Sequence, residues 1–259
     1  MKDAIPNTDD PRYVDIHVHA DACRDRGFTL DKLAEWMDAN GVARCIVQQL
    51  EQTLPRTAEA RETQKRNFRT YQGRIYEFCV IFPDDVASKA EAVVRLKRWQ
   101  AEGAIGFGEH YGAGLNVDDP KNMRLYAACG EVGLPILFHM DGENNRDEVG
   151  LPHLENALKA NPDCNFIAHA PGWWGNLANG SCDRLLQAYP NLYGDLSAGS
   201  GARAIGRDRV AGREFLIRNA SKLMFGTDIG PWSLGKPPAP QFALLAELDL
   251  PHDVEDRIY

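Results

Sequence analysis

Eight short β-type runs recur along the chain at a nearly constant interval, and this periodicity limits the fold more than any other feature. They cover 13–19, 44–49, 75–82, 104–109, 135–139, 165–169, 191–195 and 222–227. With C-terminal edges at His19, Gln49, Ile81, Glu109, His139, His169, Ser197 and Asp228, the steps are 30, 32, 28, 30, 30, 28 and 31 residues, each about one βαβ unit. Stretches of helical periodicity fill the intervals, among them LDKLAEWMDANG, ASKAEAVVRLKRWQAEG and KNMRLYAACGEVG, and each ends at a glycine suited to a helix C-cap. Strands that alternate with helices require a parallel sheet covered by helices. Eight units in 259 residues therefore predict an α/β fold of the (β/α)8 TIM-barrel type, a single domain over 1–259. An open doubly wound sheet would place a glycine-rich phosphate turn after an early strand, whereas the first strand here runs into HVHADACRDRG.

Composition narrows the function. Lys and Arg number 29 against 37 Asp and Glu, a net charge of −8, which disfavours a protein that coats nucleic acid or an anionic membrane by charge. No run of eighteen apolar residues is present, and the opening MKDAIPNTDDPRY has neither a hydrophobic signal core nor a lipidation pattern. The six cysteines are scattered without CxxC spacing, so they read as reduced thiols, with Cys45 and Cys79 as small buried hydrophobes. The expectation is a soluble cytoplasmic protein that acts on a small molecule, without nucleic-acid or membrane partners; self-association is left open.

The histidines carry the chemistry. Of seven, His17, His19, His139 and His169 fall at or beside strand C-termini, the face on which barrel active sites are built. In DIHVH the two rings are one residue apart, so on a strand they share a face. His139 in PILFHMD and Asp228 in LMFGTDIG bring a third imidazole and a carboxylate to the same height. Such a set suits a divalent cation, zinc first, with an open position for water. His169 in NFIAHAPG would orient water or substrate, shuttle a proton or hold a second ion. His110 should point away from Glu109, and His153 and His252 lie in or near predicted helices and are given no chemistry. Trp173, Trp174 and Trp232, in loops after the sixth and eighth strands, either wall a small organic substrate or pack the loops down. Arg203, Arg207 and Arg209 follow the seventh strand and either bind an anionic group or begin a solvated helix beside Asp208.

Together, DIHVH, His139, His169 and the FGTD of Asp228 resemble the metal signature of the amidohydrolase superfamily, in particular the branch that contains aminocarboxymuconate semialdehyde decarboxylase. The resemblance implies that His17, His19, His139 and Asp228 bind a catalytic metal, that His169 contacts water or substrate, and that Asp228 accepts a proton. IGFGEH also resembles the Gly-Glu strand end of the TatD-related deoxyribonucleases, which implies a metal role for Glu109 and a second ion held with His169. One ion is the expectation and two the alternative. Hydrolysis of a small amide, ester or lactone leads; nonoxidative decarboxylation of an unsaturated or aromatic acid, a two-metal phosphodiesterase and a non-catalytic metal-binding barrel are the rivals. The family pattern also implies a further helical turn beyond Tyr259.

Overall fold

The computed structural model describes residues 12–23, 27–234, 236 and 238–259. Its strands are β1 (Tyr13–Val18), β2 (Val42–Val47), β3 (Ile75–Cys79), β4 (Ala104–His110), β5 (Ile136–His139), β6 (Phe166–His169), β7 (Leu192–Asp195) and β8 (Leu223–Met224). All seven neighbouring pairs are parallel, in chain order. Among the helices between them, α1 (Leu30–Ala39), α2 (Ala58–Thr70), α3 (Lys89–Ala101), α4 (Pro120–Val132), α5 (Pro152–Ala160), α6 (Pro171–Trp174), α7 (Ser181–Ala188), α8 (Ala198–Gly206), α9 (Arg209–Asn219), α10 (Pro240–Leu248) and α11 (His252–Ile258) follow in order. This is the eight-unit TIM barrel that the periodicity predicts. Side-chain caps at Thr29, Thr57, Ser88, Asp119 and Asp208 satisfy free N–H groups at five helix starts. Gly133 ends α4 in the left-handed conformation at φ 73°.

The eighth strand differs from its expected span of 222–227. Past Met224 the chain leaves β7 and bonds to β1, where it closes the ring. Ile16 N–H donates to Phe225 O (3.1 Å), Asp228 N–H to His17 O (2.8 Å) and His19 N–H to Ile229 O (2.7 Å). The buried Asp15 carboxylate accepts from Thr227 N–H (3.1 Å) and the Thr227 hydroxyl (2.5 Å). A side chain thus satisfies the Thr227 N–H, while backbone bonds to β1 continue on either side of it.

Two apolar layers position the site. The larger lies between sheet and helices, and a smaller cluster of Ile16, Phe78, Leu137 and Ile167 comes from strand residues alone. Leu137 and Ile167 stand two residues before His139 and His169, on the same strand face, so this cluster floors the barrel mouth. Gly106 makes room for it, because a Cβ there would come within 2.2 Å of the Phe78 ring. All six cysteines are free and five are buried. Among the described residues no helix is long and apolar enough to cross a membrane.

Candidate metal centre

The parallel register brings four strand ends to one point. β1 delivers His17 and leads into His19, β4 delivers Glu109, β6 delivers His169, and the chain beyond β8 delivers Asp228. His17 Nε2 and His19 Nε2 are 3.1 Å apart. Asp228 Oδ1 lies 3.1 Å from His19 Nε2 and 3.7 Å from His17 Nε2. Glu109 Oε2 lies 3.5 Å from His17 Nε2 and 3.3 Å from His19 Nε2. Among the described residues two sets could hold an ion, His17–His19–Asp228 and His17–Glu109–His169. His139 stands beside these sets: its Nδ1 meets Glu109 Oε1 at 2.7 Å and its Nε2 meets Asp141 Oδ2 at 3.0 Å.

Hydrogen-bond partners fix which imidazole atoms face inward. His17 Nδ1 lies 2.7 Å from the Asp195 carboxylate and His19 Nδ1 lies 3.0 Å from the Gln48 carbonyl. Both partners only accept, so both Nδ1 atoms carry protons. With Nδ1 protonated, neutral rings would turn two Nε2 lone pairs toward each other, an arrangement that is repulsive without a cation. Glu109 Oε2 is buried beside them with no hydrogen-bond partner. Ligands about 2.0–2.2 Å from a shared ion stand a little over 3 Å apart, which matches the observed spacings. The donor set fits a divalent cation.

Electrostatics make the same demand. Burial disfavours charge on His17, but the Glu109 and Asp195 carboxylates raise its imidazole well above the usual range. Against burial, the neighbouring Asp228 and Glu109 carboxylates raise His19, and Glu109 and Asp141 raise His139. Burial opposes the Glu109 charge, yet His17, His139 and His169 hold its carboxyl well below the carboxylate range. Asp228 is likewise lowered against burial by His19, His17 and His169. The carboxylates call for positive charge, which protons or a metal ion can supply in competition.

A cavity of about 500 Å³ opens beside Glu109, its wall including Gln49, Phe82, Tyr111, Asn144 and Trp232. That volume suits a small molecule. Trp232 is half exposed, with its ring 5.2 Å from the His19 ring. Tyr111 stacks on His139 at 4.7 Å and 16°.

Other expected site residues lie elsewhere. Trp173 and Trp174 are buried in the core rather than at the cavity wall. The short α6 turns both rings inward, and Trp174 Nε1–H donates to the Asp195 carbonyl (3.0 Å), so packing is their role. Arg203 is exposed on α8 with its guanidinium near Gly199, and among the described residues it is not part of the cavity wall. Arg207 is also exposed, and Arg209 pairs with Glu247. His110 is buried and bonds Asn122 at 2.9 Å; burial pushes its imidazole down to about 4. Asn145 Nδ2 donates to the carbonyls of His110 (2.8 Å) and His139 (2.9 Å), tying the ends of β4 and β5 together.

Comparison with known proteins agrees with this architecture. The family model described as amidohydrolase matches residues 14–259. An uncharacterised TIM-barrel protein from Bordetella bronchiseptica shares 18% identity over 95% of this chain and 94% of its own, with TM-score 0.66. A probable 2-pyrone-4,6-dicarboxylic acid hydrolase from Acinetobacter baumannii, solved with citric acid, shares 10% over 95% and 96%, with TM-score 0.63. The 5-carboxyvanillate decarboxylase of Sphingomonas paucimobilis shares 15% over 96% of each chain, with TM-score 0.62. No curated protein matches the chain in sequence.

Proposed function

The chain belongs to the amidohydrolase family, and on that premise we propose that it is a zinc-dependent hydrolase of a small amide, ester or lactone. The observation that carries the metal reading is the pair of inward Nε2 lone pairs 3.1 Å apart beside the orphaned Glu109 Oε2. His17, His19 and Asp228 would hold the ion, with Glu109 as the fourth group. A divalent ion there supplies Lewis acidity, which polarises a carbonyl and lowers the pKa of water. Asp228 has the geometry of a proton acceptor. Its side chain is about a quarter exposed, whereas those of His17, His19 and Glu109 are buried, so it can face both ion and substrate. The cavity would hold the scissile group against Tyr111 and Trp232. Substrate is a small molecule in this reading, with no nucleic-acid or membrane partner, and six free thiols accord with the cytoplasm.

Decarboxylation is the second reading, favoured by the likeness to a decarboxylase of the same architecture. A screen of amides, esters, lactones and unsaturated acids with zinc-loaded protein separates the two. Hydrolysis of a neutral substrate is expected, and faster carbon dioxide release from an acid would reverse the order.

Glu109 decides the number of ions. Its Oε2 faces His17 and His19 while its Oε1 faces His139 and His169. With one ion, wild type carries about one zinc per chain, and Glu109→Gln keeps that stoichiometry while affinity drops by at least 10-fold, the lower end of what a lost supporting group costs. Two equivalents falling toward one would show a bridging carboxylate and favour phosphodiester chemistry.

A further inference from the structure

We propose that Asp195 and Ser197, at the end of β7, are positioning residues that jointly hold His17 and His169 with protonated Nδ1 atoms and Nε2 lone pairs directed at the metal centre. β7 contributes to neither candidate ligand set, yet one of its oxygens serves several groups. Asp195 Oδ2 lies 2.7 Å from His17 Nδ1, 2.6 Å from Ser197 Oγ and 3.5 Å from His169 Nδ1. Ser197 Oγ lies 3.0 Å from His169 Nδ1 and 3.2 Å from His17 Nδ1. The serine has one proton, and the carboxylate 2.6 Å away takes it, so the remaining serine lone pairs accept from His169 Nδ1–H. Asp195 Oδ2 accepts from His17 Nδ1–H over the shorter distance. The other carboxylate oxygen accepts from Ser197 N–H at 2.9 Å.

The unit is built to stay in place. Both residues are fully buried. Trp174 Nε1–H anchors the Asp195 carbonyl, and Gln241 Nε2 donates to the carbonyls of Leu196 (3.0 Å) and Ala198 (2.6 Å) on either side of Ser197. Alongside, just past the neighbouring β8, residue 226 is a glycine, where a Cβ would stand 2.4 Å from Asp195 Oδ1. A carboxylate behind a ligand imidazole fixes its orientation and raises its basicity. Through Ser197 the same carboxylate reaches His169, whose Nε2 faces Glu109 Oε1 at 3.4 Å. His169 is thereby set as an acceptor toward an ion or a water proton.

The test compares full-length wild type with Asp195→Asn and Ser197→Ala by zinc titration and by 15N-histidine NMR. Asp195→Asn is expected to weaken zinc binding by about 10- to 100-fold. Ser197→Ala, which leaves the His17–Asp195 contact in place, should alter the 15N pattern of His169 while zinc affinity changes only a few-fold. An Asp195→Asn affinity equal to wild type, or an unchanged His169 pattern in Ser197→Ala, would overturn the proposal. Should Asp195→Asn fail to fold, the His169 pattern in Ser197→Ala decides. The inference rests on the metal reading, but the two fail separately. Wild type that takes up no zinc ends that reading, whereas the His169 tautomer still tests the positioning role.

Discussion

His19→Ala is expected to abolish tight zinc binding and with it turnover, while the protein stays folded. His19 is the informative ligand position because its outward Nδ1 meets a backbone carbonyl, that of Gln48, which other donors can satisfy. His17→Ala would instead take a donor from the buried Asp195 carboxylate, and breaking a buried charged pair costs about 3–5 kcal/mol in stability. A lost metal and a lost fold would then be confounded. Removing a group that merely supports a ligand costs about 10- to 100-fold in affinity, so removing the ligand itself should cost at least that much. Zinc titration beside thermal unfolding checks it: weakened zinc with a cooperative transition near that of metal-free wild type is the expected pair.

Asp228→Asn should separate chemistry from binding. The amide oxygen keeps a place beside His17 and His19 but cannot take a proton, so kcat should fall on the order of 10²–10⁴, with zinc retained at reduced affinity. The pH profile carries a further sign. Asp228 is held below the usual carboxylate range despite burial, so it remains an acceptor well into the acid. Activity lost as pH falls through neutrality therefore arises from the imidazoles, on which protons compete with the ion. Zinc affinity measured from pH 8 down to 5 should fall in parallel with activity in both wild type and Asp228→Asn. An acid limb confined to wild type would give Asp228 the controlling titration.

The sequence made the barrel legible because a closed parallel sheet repeats one unit eight times, and the strand-end histidines stood out because histidine is scarce. Period-two alternation correctly put His17 beside His19. What stayed hidden depends on contacts between distant segments. The end of β8 is set by bonds to β1, which no local pattern encodes. Asp195 and Ser197 sit at a strand end like the histidines, so the same strand-end logic applied to carboxylates would have found Asp195. Gln48 works partly through its backbone carbonyl, and a carbonyl leaves no mark on sequence. Adjacent Trp173 and Trp174 read as a cavity wall because they follow a strand, yet whether a short helix turns its rings inward or outward is decided by the neighbouring strands.

The most direct test is turnover of one substrate from the screen, before and after exhaustive chelation and after addition of zinc. Turnover that disappears with the metal, returns with about one equivalent of zinc per chain and fails to return in His19→Ala is the predicted result. Full turnover in the metal-free protein would contradict the account.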